Sequence, residues 1–205
     1  MKKTKIIAIG GGGIAIAYRL FRKSKMPWIE NATFVFADTD ESNLVLFKGK
    51  EDSIELVHLT HDVPLFSSNP LYHAGAVFPE NIVNSDSLFP EKVLHDADKI
   101  LFIACGGGKT GSRFSIELAK AAKKVNVPKI VGFLTRPFKI EGRERCLIDS
   151  KVFSILRIRM NIVTYAYNYD ALIDEYDDII TYNNAFKIAD MHCAKYIEEQ
   201  INLEK

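Results

Sequence analysis

The sequence has few of the features that mark secreted, nucleic-acid-binding or membrane proteins. Its three cysteines are odd in number and far apart, so neither a disulfide framework nor a metal-binding spacing is present. The formal net charge of +1 gives no basic surface for nucleic acid or anionic lipid. No apolar run is long enough to cross a bilayer, and the run after Lys5 is too short for a signal peptide. We therefore expect a cytoplasmic protein, with no nucleic-acid partner and no membrane insertion.

The composition is that of a globular protein. The chain has 205 residues, of which 47% are hydrophobic and 26% are charged. This length suits one domain with a single sizeable core, and we predict one domain over residues 1–205.

The most informative stretch is 101–113, which reads LFIACGGGKTGSR. An apolar strand leads into the glycines Gly106–Gly108, and a helical pattern follows to Lys124. Strand, glycine turn and helix is the order that phosphate binding needs, because a helix N-terminus presents free N–H groups to an anion. The P-loop motif fits only partly, since Ile103 stands where that motif has its first glycine. The alternative is an ordinary strand-to-helix turn.

A second strand, glycine and helix unit opens the chain. Residues 5–9 form an apolar strand, Gly10–Gly13 follow, and residues 14–22 look helical. The next strand, 33–37, ends at Asp38. A dinucleotide fingerprint is therefore a rival interpretation, with the G-x-G-x-x-A pattern of Gly10, Gly12 and Ala15 and an acidic residue after the second strand.

Strands and helices alternate along the rest of the chain. Further strands are predicted at 53–59 (an edge strand), 129–134 and 161–166, and helices at 89–95, 141–158 and from 184 almost to the end. Residues 67–79 read as a long surface loop. Tyr165, Tyr167 and Tyr169 alternate, which side-chain packing explains; the alternative is a surface for a partner. The alternation of elements predicts an α/β fold, with a Rossmann-like, mostly parallel sheet covered by helices on both faces.

Two residues of the last helix suggest which base a nucleotide ligand carries. Phe186 and Asp190 are four residues apart and share a helix face. An aromatic ring can stack on a base, and a carboxylate can accept the adjacent N1–H and N2–H donors of guanine. Adenine would set an acceptor, its N1, against that carboxylate. The alternative is a core Phe186 beside a solvated Asp190.

Six separated stretches, in the same order, resemble the FtsZ/tubulin family. They are the glycines 10–13, Asp38-Thr39-Asp40, Ala74-Gly75-Ala76 with Pro79-Glu80, Ala104 to Ser112, Leu134 to Arg145 (LTRPFKIEGRER), and Ala185 to Asp190 (AFKIAD). The stretch 134–145 is the most specific match. The resemblance implies a tubulin/FtsZ-type nucleotide-binding domain, ending at the long central helix, that holds GTP or GDP with Mg²⁺ bound through the phosphates.

The resemblance also assigns roles to individual residues. Glu141 would take the ribose hydroxyls and Arg145 would lie beside the nucleotide. Ala76 would sit in the loop that faces the γ-phosphate. Guanine would be held by Asn168, Phe186 and Asp190, and the phosphates would be touched by Gly11, Gly12, Gly13, Gly107, Gly108, Thr110 and Gly111. Two departures from the family pattern lie close to the phosphates: Lys109 replaces a glycine, and Asp38 replaces an asparagine.

Other departures bear on activity. Ile14-Ala15 stands where the family has Ser-Asn, and Lys205 comes before the family's acidic catalytic loop and second domain. No catalytic residue and no metal ligand can be named. We expect GTP binding, with slow GTPase activity alone or a regulatory role beside a cytoskeletal filament in cell division. The partners implied are a further copy or a longer FtsZ-like relative. The alternatives are a non-catalytic GTP-dependent interaction module and an NAD(P)-binding Rossmann protein.

Overall fold

A computed structural model describes residues 3–49, 53–60, 86–175, 181 and 184–203. The predicted surface loop 67–79, which contains Ala76, lies outside these residues.

The described strands form one parallel sheet, as predicted. In chain order they are β1 (Thr4–Ile9), β2 (Thr33–Asp38), β3 (Ile54–His58), β4 (Lys99–Cys105), β5 (Lys129–Arg136) and β6 (Val163–Asn168). The sheet has six strands in the order β3-β2-β1-β4-β5-β6, and every neighbouring pair is parallel. β3 lies at an edge, as its sequence predicts. β6 begins two residues later than predicted, since Asn161 takes a left-handed turn conformation with φ of 51°.

The α-helices are α1 (Gly10–Lys23), α2 (Pro27–Glu30), α3 (Glu41–Val45), α4 (Lys109–Lys124), α5 (Arg143–Ser154), α6 (Asp170–Glu175) and α7 (Ala185–Leu203). Short 3₁₀ helices cover Glu91–Leu94 and Lys139–Glu141, and a π-helical turn, Ile155–Arg159, extends α5. The helix predicted from 141 begins only at Arg143, because Gly142 breaks the backbone with φ of 104°.

Apolar clusters cover both faces of the sheet, which explains the unbroken hydrophobic runs of its strands. Successive residues of β1 alternate between them. Ile7 packs in the cluster that includes residues of α4 and α5, and Ile6 packs in the cluster that includes residues of α1 and α7. Within the described part of the chain, no helix has the length and apolar character needed to cross a membrane.

The strand order contains one point, between β1 and β4, at which the direction of strand addition reverses. From β1 the chain builds outward through β2 to β3, then returns to the other side of β1 with β4. In open parallel sheets, ligands bind outside the carboxyl ends of the strands at this reversal. Here the two glycine segments meet, since Gly10 follows β1 and Gly106 follows β4.

Candidate functional site

Two helix N-termini open onto the reversal point without side-chain caps. α1 begins directly after Ile9, and the N-cap of α4 is Gly108. Neither helix has a capping side chain or an acidic residue in its first turn. The first N–H groups of a helix have no partner within the helix, and the helix dipole makes them partly positive. Two such ends on one cleft favour an anionic ligand.

Close backbone approach explains two of the glycines. A Cβ on Gly13 would collide with the carbonyl oxygen of Ile103, and a Cβ on Gly111 would lie 2.5 Å from the carbonyl oxygen of Cys105. Both contacts press a helix against β4. Gly13 therefore acts in helix–strand packing, and it is not among the residues that line the cleft.

The cleft consists of two adjoining cavities that share Gly12, Cys105 and Gly108. We call the smaller one, of about 220 Å³, the phosphate half; it is lined by residues 9–12, 38–40, 43, 105 and 108–111. We call the larger one, of about 330 Å³, the base half; its lining is Gly12, Cys105, Gly107, Gly108, Thr135, Pro137, Glu141, Arg145, Tyr169, Phe186 and Asp190. The structure thus brings most of the predicted site residues into one continuous cleft.

Polar side chains on the phosphate half are largely engaged with one another. Thr39 Oγ1 and Thr110 Oγ1 lie 2.7 Å apart and share a hydrogen bond. Buried Asp38 accepts from Asn43 Nδ2 at 2.9 Å and from the Asp40 N–H at 3.2 Å. Lys109, the first residue of α4, is exposed, and it is the only cationic residue among the described residues that line this half.

A carboxyl group and aromatic rings meet in the base half. Tyr169 donates its hydroxyl hydrogen to Asp190 Oδ1 at 3.1 Å. Burial raises the pKa of the Asp190 carboxyl to about 6, and the hydrogen bond from Tyr169 opposes that rise. Phe186 is 42% exposed, with its ring edge-on to Phe138 at a centroid distance of 5.6 Å. A planar ligand can therefore reach both an aromatic surface and a hydrogen-bond acceptor.

Tyr169 is one of the residues of this half that the sequence analysis did not assign to the site. The alternation of three tyrosines predicts ordinary packing, but β6 ends at Asn168 and Tyr169 lies just beyond it. Its hydroxyl therefore reaches Asp190 in the cleft.

Cys105 lines both halves of the cleft. Burial raises the pKa of its thiol to about 11, which keeps the thiol protonated at neutral pH.

The predicted ribose residues form an ion pair at the mouth of the base half. Glu141 Oε2 accepts from Arg145 Nη1 at 2.5 Å, and Glu141 Oε1 accepts from the Phe138 N–H at 2.8 Å. The carboxylate is largely buried, whereas the arginine side chain is half exposed. The carboxylate is thus oriented before any ligand arrives.

No protein-family model matches the chain. Solved structures match its fold. CetZ from Methanosaeta thermophila aligns with a TM-score of 0.68 at 16% identity, over 98% of this chain and 54% of that one. CetZ2 from Haloferax volcanii, described as a GTPγS-bound protofilament, aligns with a TM-score of 0.66 at 19% identity, over 95% of this chain and 57% of that one. TubZ of Clostridium botulinum phage c-st gives a TM-score of 0.61 at 13% identity, over 97% and 59%.

The chain has an FtsZ/tubulin-like fold. It spans between 54% and 59% of the length of these three proteins.

Two described residues that the resemblance assigns to the nucleotide, Gly13 and Asn168, do not line the cleft of this FtsZ/tubulin-like fold. The side chain of Asn168 accepts a hydrogen bond from the Asp170 N–H at 3.2 Å, at the start of α6. Ala76 lies outside the described residues. Among the residues that the structure does describe, no group of three or more His, Cys, Asp or Glu could hold a metal ion.

Proposed function

We propose that the chain binds GTP and GDP in the cleft between β1 and β4. One observation carries this proposal: a base half with a carboxyl acceptor adjoins a phosphate half with two uncapped helix N-termini. Their shared lining residues let one ligand span both. The GTPγS bound by CetZ2 and the GDP bound by CetZ1 of Haloferax volcanii support the same ligand class.

The phosphate half fits a polyphosphate. Gly11, Gly12, Gly108 and Gly111 bring backbone to the wall of the cleft, and Thr110 and Lys109 add a hydroxyl and an ammonium. Gly107 would contribute from the base half. Bound Mg²⁺ would neutralise phosphate charge, which matters here because Asp38 and Asp40 line the same cavity.

The base half fits guanine. An ionised Asp190 can accept from N1–H and N2–H, and Phe186 offers a ring for stacking. Glu141 and Arg145 would face the ribose, and Asn168 would reach guanine only if its side chain left the start of α6. The rival dinucleotide interpretation needs Asp38 to hold ribose hydroxyls. Because Asp38 is buried and both its oxygens already accept hydrogen bonds, this observation favours the guanine nucleotide.

We further propose nucleotide-dependent association, with a second copy or a longer relative. CetZ2 and the TubZ of Bacillus thuringiensis are described as protofilaments with GTPγS. Slow hydrolysis of GTP fits the phosphate half, since the carboxylates of Asp38 and Asp40 are engaged with backbone N–H groups and Asn43. A binding module without turnover is the remaining alternative.

Thermal unfolding with different nucleotides tests the proposal. We expect GTP and GDP to raise the Tm of the protein well above any effect of ATP or NAD. Losing a bidentate base contact costs about 1–3 kcal/mol in nucleic-acid readout, so Asp190→Ala should remove most of the preference for guanine. Equal stabilisation by ATP and GTP would contradict the proposal, and stabilisation by NAD alone would favour its rival.

A further inference from the structure

A buried carboxyl group lies behind the second glycine turn, Gly106–Gly108, and no role has been given to it so far. Asp149, on α5, has a side chain that is 4% exposed. Its Oδ1 atom is buried and has no hydrogen-bond partner among the described residues. An unpaired buried oxygen is costly, so its position calls for an explanation.

The unpaired oxygen points at the glycine turn. A Cβ on Gly106 would overlap Asp149 Oδ1 and would lie 3.3 Å from Asp149 Cβ. The neighbouring Gly107 meets the same helix, because its Cβ would lie 3.1 Å from Arg145 Cβ. Asp149 and Arg145 are four residues apart on one face of α5. This helix face therefore touches two successive residues of the turn.

The other sides of Gly106 are fixed by hydrogen bonds. Its N–H donates to the Thr135 carbonyl oxygen at 3.0 Å, and its carbonyl oxygen accepts from Ser112 Oγ at 2.5 Å. Asp149 is held from behind, since Arg136 Nε lies 3.3 Å from its Oδ2 and the Arg136 guanidinium lies over the Phe153 ring. A change in the volume of the Asp149 side chain must therefore be taken up by the turn.

We propose that Asp149 is a positioning residue that fixes the place of the second glycine turn, and through it the strength with which the cleft holds the phosphates of a nucleotide. The inference rests on the proposed function. The effect of Asp149 should fall on the binding of the phosphates, because the turn leads directly into Lys109 and Thr110 of the phosphate half. The contact is one of shape, so the isosteric Asp149→Asn should preserve it.

A size swap tests the contact. Gly106→Ala should weaken GTP binding about tenfold, the scale of coupling between touching residues, and adding Asp149→Ala should restore most of the affinity. Asp149→Ala alone should weaken GTP binding several-fold, and Asp149→Asn should bind as the wild type does. Affinity for guanosine should stay unchanged in every variant, which a general loss of folding would not allow. Isothermal titration with GTP, guanosine and inorganic tripolyphosphate gives these values.

The other outcomes would overturn the positioning role of Asp149 or, in one case, the proposed function as well. A Gly106→Ala protein that Asp149→Ala does not rescue, or variants that lose GTP and guanosine equally, would overturn the positioning role. If Gly106→Ala does not fold, the Asp149→Ala variant alone tests the inference. Unchanged affinity of Asp149→Ala for GTP would overturn it. In both cases GTP binding by the wild type would leave the proposed function standing. A wild type that binds neither GTP nor tripolyphosphate would overturn both.

Discussion

At the scale of single residues, Asp190 would link the proposed base recognition to pH. Burial raises the pKa of its carboxyl from 3.8 to about 6. A raised pKa means that the folded protein holds the proton more strongly than the unfolded chain. Its contribution to stability is therefore fully present below pH 3.8 and is lost as the pH rises through about 6. Under the proposed function, guanine requires the ionised form, so nucleotide binding would have the opposite pH dependence.

We predict that GTP affinity falls as the pH is lowered from 7 to 5, approaching tenfold for each pH unit below 6, because one proton must leave Asp190 before guanine binds. Asp190→Asn should bind GTP weakly and with little pH dependence. Asp149→Asn is the matched control, since burial also raises the pKa of Asp149 to about 6. Isothermal titration across this range measures the effect. A profile that Asp190→Asn leaves unchanged would assign the titration to another group.

Lys109 carries the second prediction at this scale. We expect its ammonium to hold phosphate, compensating for the polar side chains absent at Ile14 and Ala15. Hydrogen bonds to charged groups contribute about 1.5–3 kcal/mol, so Lys109→Ala should weaken GTP binding at least tenfold and leave guanosine unaffected. The control is Lys123→Ala, because Lys123 is an exposed lysine at the other end of α4. Unchanged or tighter GTP binding by Lys109→Gly would show that the side chain is a steric burden instead.

At the scale of elements, substitutions at two glycines near the helix N-termini should have different effects. One should lower the stability of the fold, and the other should weaken nucleotide binding. Gly13→Ala drives a methyl group into the Ile103 carbonyl and should cost about 1–3 kcal/mol of unfolding free energy, as overpacking does. Gly108→Ser has room, since the nearest atom to its Cβ is 3.6 Å away. A serine N-cap should leave stability unchanged or slightly higher but occupy N–H groups of α4, and so weaken GTP binding. Urea unfolding and titration together check the pair. Weaker binding by Gly13→Ala at full stability would contradict this division of roles.

The elements were predictable because their signals are local. Runs such as 5–9 and 33–37 are apolar and β-branched, and in the fold they lie between two helical layers. Boundaries were less predictable where the backbone alone decides them, as at Gly142 and Asn161 with positive φ. The Tyr169–Asp190 hydrogen bond joins the residue that follows β6 to α7, and neither segment of the sequence alone indicates it. Asp149 likewise reads as an ordinary helical carboxylate until α5 is placed behind the glycine turn.

At the scale of the molecule, the strand order makes the site. Neither glycine segment alone distinguishes a nucleotide cleft from an ordinary turn. Placing β1 beside β4 brings both uncapped helices to one cleft, and α7 then closes the base half with Phe186 and Asp190. The sequence motifs predict such a site. The pairing of β1 with β4 explains how segments about 95 residues apart could hold one ligand, as the proposed function requires.

The last prediction concerns turnover. We expect the chain to bind GTP but to hydrolyse it slowly on its own. Asp38 and Asp40, the carboxylates that line the described part of the phosphate half, already accept hydrogen bonds from the protein. A positioned general base contributes typically ~10²–10⁴-fold to rate, so the cleft without one should retain only residual hydrolysis. Phosphate release should be measured over a series of protein concentrations, alone and with a longer FtsZ-like relative. Stimulation only in the mixture would indicate that the partner supplies the missing base. A rate that rises steeply with the protein's own concentration, together with filaments that sediment, would contradict the prediction, because a second copy would then be completing the site.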